Sequence, residues 1–208
     1  MNRAEYRAQF YSDFNESEDS GFFSSSSLLN SLIEIGREKV WNALVKIKGS
    51  GYGEKTGDDI PITSSSSSYD LPDDFIRMIE VRRVDLNPSL LVEYNERIKT
   101  LIDNDLWVDI EAWALQDNKI IIRKPVTATI RPIYIRTVTR FSGDAADSTD
   151  DPDIPLRFQP VVGYFVMWRA CMKEGSTSAD FWKKLFEDGI DDITMEGNRS
   201  GYEKSLSG

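Results

Sequence analysis

Carboxylates are the commonest chemistry-bearing residues here, and they come in adjacent pairs: Asp58-Asp59, Asp73-Asp74, Asp150-Asp151 and Asp191-Asp192. Two neighbouring carboxylates can share a proton or a cation only if the fold turns both to one point. Neighbours in a strand point apart, and neighbours on a helix lie about 100° apart. None of the pairs has the Ca²⁺-loop spacing, with Gly at its sixth position and Glu at its twelfth. They read as solvated loops and caps. The run Asp144, Asp147, Asp150, Asp151 and Asp153 has no Lys or Arg within it and reads as a solvated acidic loop, with weak divalent-cation binding over 144–153 left open.

Histidine is absent, which removes Ser-His-Asp and Cys-His activation and imidazole metal sites. The single cysteine, Cys171, sits in an apolar segment and reads as a buried structural thiol. The stretch from Gly49 to Gly57 has the glycines of a phosphate loop. Glu54, however, separates Gly53 from Lys55, and a helix rather than a strand precedes it, so a flexible loop is the expectation. No catalytic residue, metal ligand or cofactor site is assigned. Of five tryptophans, Trp41, Trp168 and Trp182 fall on helical stripes. Trp107 and Trp113 flank strand edges, where the alternatives are core residues or exposed anchors at an interface.

The elements that must carry these residues follow from hydrophobic period. Residues 2–14 read as a helix with Tyr6 and Phe10 on one face, packed on its own core or on a neighbouring subunit. Ser27 is the expected cap of a helix over 28–47, striped by Leu28, Leu29, Leu32, Ile33, Val40, Trp41, Leu44 and Val45. A long loop is expected over 49–68. A β-rich insertion is expected over 69–138, with Ile79, Val81 and Val84 inward. It includes a helix over 94–106, a hairpin turning at Gln116-Asp117-Asn118, and a strand over 127–138 pushed to an edge or bulge by Pro132. Helices over 156–173 and 178–194 follow, the last with Phe181 on its stripe and Thr177 or Ser178 as cap. Residues 196–208 read as a flexible tail.

The fold class is therefore α+β. A bundle of three to four helices and an inserted antiparallel sheet form a single domain over 1–195, with the tail beyond it. No segment has the apolar core of a signal peptide or the length of a membrane span, so a soluble protein is expected. The net charge of −10 makes bulk nucleic-acid binding unfavourable.

Three segments in this order carry a resemblance. They are Tyr69-x-Leu71-Pro72-x-Asp74-Phe75 leading to Val81; Trp113-Ala114-Leu115 with Ile120-Ile121-Ile122, Pro125 and a strand through Tyr134; and Asp151-x-Asp153-Ile154-Pro155-x-x-Phe158 opening a helix with Ala170. Over roughly residues 28–190 the chain resembles the head–tail adaptor (connector) proteins of tailed bacteriophages, including the tubular-tail-protein type of short-tailed phages.

The resemblance implies a structural protein of the virion neck, made in the bacterial host cytoplasm. It implies no enzyme and no cofactor. It implies a ring, usually of twelve subunits, under the portal protein. Such a ring extends the DNA channel without specific DNA binding and offers a platform to the tail or nozzle. A C-terminal extension docks on the portal in such proteins; by position, Asn198, Arg199, Tyr202 and Leu206 would serve here. Trp107, Trp113, Tyr6 and Phe10 are the candidates for subunit or tail contacts. Another neck or tail-completion protein, or an acidic cellular interaction module, are the alternatives.

Overall fold

The computed structural model describes residues 1–15, 26–47, 51–63, 65–66, 68–84, 92–93, 112–123, 127–141, 151 and 153–206. Two compact units emerge. Met1–Tyr52 and Val138–Gly208 form a helical unit, and Gly53–Thr137 form a β unit.

In the helical unit, α1 spans Arg3–Phe14. Asn2 caps it: its side chain accepts from the Glu5 amide at 2.9 Å while the Glu5 carboxylate accepts from the Asn2 amide at 2.9 Å. Helix α2 spans Ser26–Leu44. Its stripe Leu29, Ile33, Val40, Trp41 and Leu44 is buried as the period requires. Ser27 lies inside its first turn rather than at a cap, and its carbonyl accepts from the Ser31 hydroxyl. A 3-10 turn over Leu156–Phe158 leads into α3, Gln159–Glu174. Val161, Val162, Phe165, Val166, Ala170 and Cys171 are buried there.

Helix α4 spans Ala179–Leu206, past the expected helix end at 194 and into the segment read as a tail. No proline interrupts the run, and the glycines at 197 and 201 cost only about 1 kcal/mol each against alanine. Its stripe runs through Trp182, Phe186, Gly189 and Ile193. Phe181 sits about 100° from Trp182 and is 59% exposed, off the expected stripe. Two glycines set how closely the helices approach. A Cβ on Gly36 would lie 3.1 Å from the Phe165 ring and 3.2 Å from Val162 Cγ1, and one on Gly189 would lie 2.8 Å from Val161 Cγ2.

In the β unit, β8 (Ala128–Arg136) is the centre of the first sheet. Against it pair β1 (Glu54–Thr56), β2 (Ile60–Ile62) and β4 (Phe75–Arg83), all antiparallel. The second sheet is β3 (Ser68–Asp70), β7 (Lys119–Arg123), β6 (Ala112–Gln116) and β5 (Val92–Glu93), antiparallel except for β5 with β6. The inner faces share one core: Ile62, Val81 and Ile130 from the first sheet, and Trp113, Ile120 and Ile122 from the second. The β6–β7 hairpin turns on Asp117 and Asn118, both at positive φ (51° and 60°), as a two-residue primed turn needs.

The structure corrects four expectations in this unit. Residues 49–68 are not one long loop: β1, β2 and the start of β3 lie there, because β8 offers a ladder to β1 and β2 and β7 offers one to β3. Pro132 lies on a central strand, not an edge. Its carbonyl accepts from the Gly57 amide at 2.8 Å, so its missing N–H falls in the break between β1 and β2, where no strand asks for it. Ile79 is 43% exposed because the register shifts between Met78 and Glu80 and leaves it in a bulge, while Val81 returns to the core. Val84 is exposed beyond the end of β4. The expected helix over 94–106 lies outside the described residues.

Candidate functional site

Within the helical unit a charged residue interrupts the apolar stripe of α2. Arg37 lies one turn beyond Ile33 and one turn before Val40, so the helix carries it into the core. Its guanidinium forks onto Asp151, Nε to Oδ2 at 2.7 Å and Nη2 to Oδ1 at 2.9 Å, with both side chains fully buried. Nη1 reaches Glu34 at 2.9 Å. Asp151 Oδ1 also accepts the amides of Asp153 and Ile154 at 3.1 and 3.2 Å. Asp153 accepts the Thr139 amide at 2.6 Å.

Phe141 closes the network. Its ring lies 3.8 Å from the Arg37 guanidinium carbon, its amide donates to Glu34 at 3.1 Å, and its carbonyl accepts from Arg3 at 2.9 Å. Burial on its own would lower the Arg37 pKa, but the Asp151 and Glu34 contacts outweigh it and hold the group above its ordinary value. Burial, with the Asp151 charge beside it, pushes the Tyr6 hydroxyl far up. The expectation of a wholly solvated acidic loop is therefore corrected at Asp151 and Asp153: both are buried, because Arg37 and backbone amides compensate them.

In the β unit a groove of about 490 Å³ opens between the β1–β2 turn and the β3–β4 connection. Ile60, Leu71, Pro72, Pro132 and Tyr134 give it apolar walls, and Asp58, Asp70, Asp73 and Asp74 line it with Lys55. Asp74 is fixed, since it accepts the Tyr134 hydroxyl and the Lys55 ammonium, each at 2.7 Å. Burial would raise the Asp74 pKa, yet the Lys55 and Tyr134 hydrogen bonds bring it below its ordinary value. Asp70 pairs with Lys119 at 3.1 Å, and Asp59 is gripped outside the groove by Arg131 at 2.6 and 3.0 Å. Asp58 and Asp73 stay exposed at the rim.

The fold does not gather the residues expected at interfaces. Tyr6 and Phe10 are buried in the helical unit, and Trp113, at 4% exposed, is core in the β unit. Each of the three packs inside its own unit. Trp107 lies outside the described residues. Asn198, Arg199, Tyr202 and Leu206 fall within the last turns of α4. Among the described residues no group of three or more His, Cys, Asp or Glu could hold a metal ion, and no helix is long and apolar enough to cross a membrane.

The residues that sequence reasoning missed are Arg37, Glu34 and Phe141. The available signal was the charge at position 37 inside an otherwise apolar period.

A buried ion-pair network in the helical unit and an open, acid-rimmed groove in the β unit are what this α+β fold builds. The family model described as SU10 adaptor protein matches residues 28–205, and the chain belongs to that phage head–tail adaptor family. It is accordingly a structural component of the virion that associates with other virion parts. No curated protein matches the chain.

Proposed function

We propose that the chain forms a ring, usually of twelve copies, beneath the portal in the neck. This ring extends the DNA channel and gives the tail or nozzle its platform. The observation that carries this reading is the family match across residues 28–205. The net charge of −10 supports a channel that DNA passes without being gripped. The helical continuation of α4 to Leu206 supports portal docking by Asn198, Arg199, Tyr202 and Leu206, since a preformed helix face loses less entropy on binding than a disordered tail. The test is mass photometry of the purified chain with and without purified portal assemblies. Single copies alone, and rings once portal is added, are expected; a chain that never associates with portal overturns the reading.

A further inference from the structure

The β unit separates its charges along the sequence. Residues 54–74 carry Asp58, Asp73 and four other carboxylates against Lys55 alone, in the segment that builds the groove. Strand β4, which follows at once, carries Arg77, Arg82 and Arg83 against Glu80, a basic stretch in a chain of net charge −10. Apolar surface is divided the same way. The groove has apolar walls, and β4 exposes Ile76 and, through its bulge, Ile79.

We propose that the acid-rimmed groove of one copy receives the β4 edge of a second copy, so that neighbouring β units join head to tail. The inference rests on the ring reading above and names the surfaces that close it. Asp58 and Asp73 at the rim would meet the β4 arginines, while Ile79 would pack on the apolar wall at Leu71 and Pro72. Strands β1 and β2 pair along one side of β8 and β4 along the other, and Pro132 and Tyr134 of β8 line the groove itself. The proposed contact joins two different surfaces head to tail, the heterologous kind that closes a ring by rotation. A symmetric contact through the groove would set carboxylates against carboxylates and is disfavoured.

The experiment uses the full chain with purified portal assemblies. D58K/D73K and R77E/R82E are each expected to lower ring formation at least tenfold, while melting like the parent. The chain carrying all four changes is expected to recover, because the charges are exchanged and not lost. Parent rings with variants that assemble equally well overturn the groove-to-β4 contact and leave the ring reading standing. A parent that never assembles overturns both.

A second measurement does not depend on charge. P72C and I79C chains are mixed in the presence of portal and oxidised. A crosslinked dimer in the mixture, and in neither chain alone, is expected; its absence when rings are present overturns the proposal.

Discussion

Arg37 shows how a single side chain can decide the construction of a unit. Two charges taken fully out of water are tolerable only as a pair with every polar atom engaged. The fork onto Asp151, the Glu34 contact and the Phe141 ring meet that demand. Asp151→Ala leaves the guanidinium buried without its main partner. It is expected to lower stability by about 3–5 kcal/mol, measured by urea unfolding of the full chain, whereas a loss under about 1 kcal/mol would show the pair to be dispensable.

Asp74 gives a pH dependence of known sign. Its folded pKa lies below the ordinary 3.8, so its contribution is fully present above that value. The contribution is lost as pH falls through the folded pKa. Asp74→Asn is therefore expected to be less stable than the parent at neutral pH and to converge with it in acid. A gap between the two chains that stays constant below pH 3.8 would contradict the Lys55–Asp74–Tyr134 arrangement.

Close helix approach is set at the scale of the element, by glycine. A Cβ at Gly189 would stand 2.8 Å and 3.0 Å from the two Cγ atoms of Val161, a buried β-branched side chain with little freedom to move. Alanine there gains helix propensity of about 1 kcal/mol, and overpacking opposes it by about 1–3 kcal/mol. Gly189→Leu is therefore expected to lower the melting temperature. In a double-mutant cycle, Val161→Ala should be less harmful beside Gly189→Ala than in the parent; strict additivity would show that the two do not touch.

Helices α1 to α3 and the β6–β7 hairpin were legible because their signals are local: a 3.6-residue stripe and a Gln-Asp-Asn turn. Strands β1 and β2 were not, because Glu54–Thr56 forms a strand only where Ile133, Tyr134 and Ile135 supply a partner across a long loop of sequence. The β4 bulge was hidden for a like reason, since register is a property of two strands and not one. At the helical site, Asp151 read as solvated because its compensating charge lies 114 residues away. The groove was equally hidden, since Asp58 and Asp73 meet only through the strands that separate them.

At the scale of the whole molecule, each unit has a core of its own, and the helical unit carries a long last helix. Glu196 and Arg157 form an exposed ion pair, which contributes little stability. Deleting residues 196–208 is expected to leave the thermal melt nearly unchanged while weakening portal docking at least tenfold. A large drop in melting temperature would instead place the last turns of α4 in the folding core.

The most direct test of the adaptor account is mass photometry of the full chain titrated with purified portal assemblies. A species whose added mass is a whole multiple of the 23.7 kDa chain, close to twelve copies per portal, is the predicted result. A chain that remains single at every portal concentration would contradict the account.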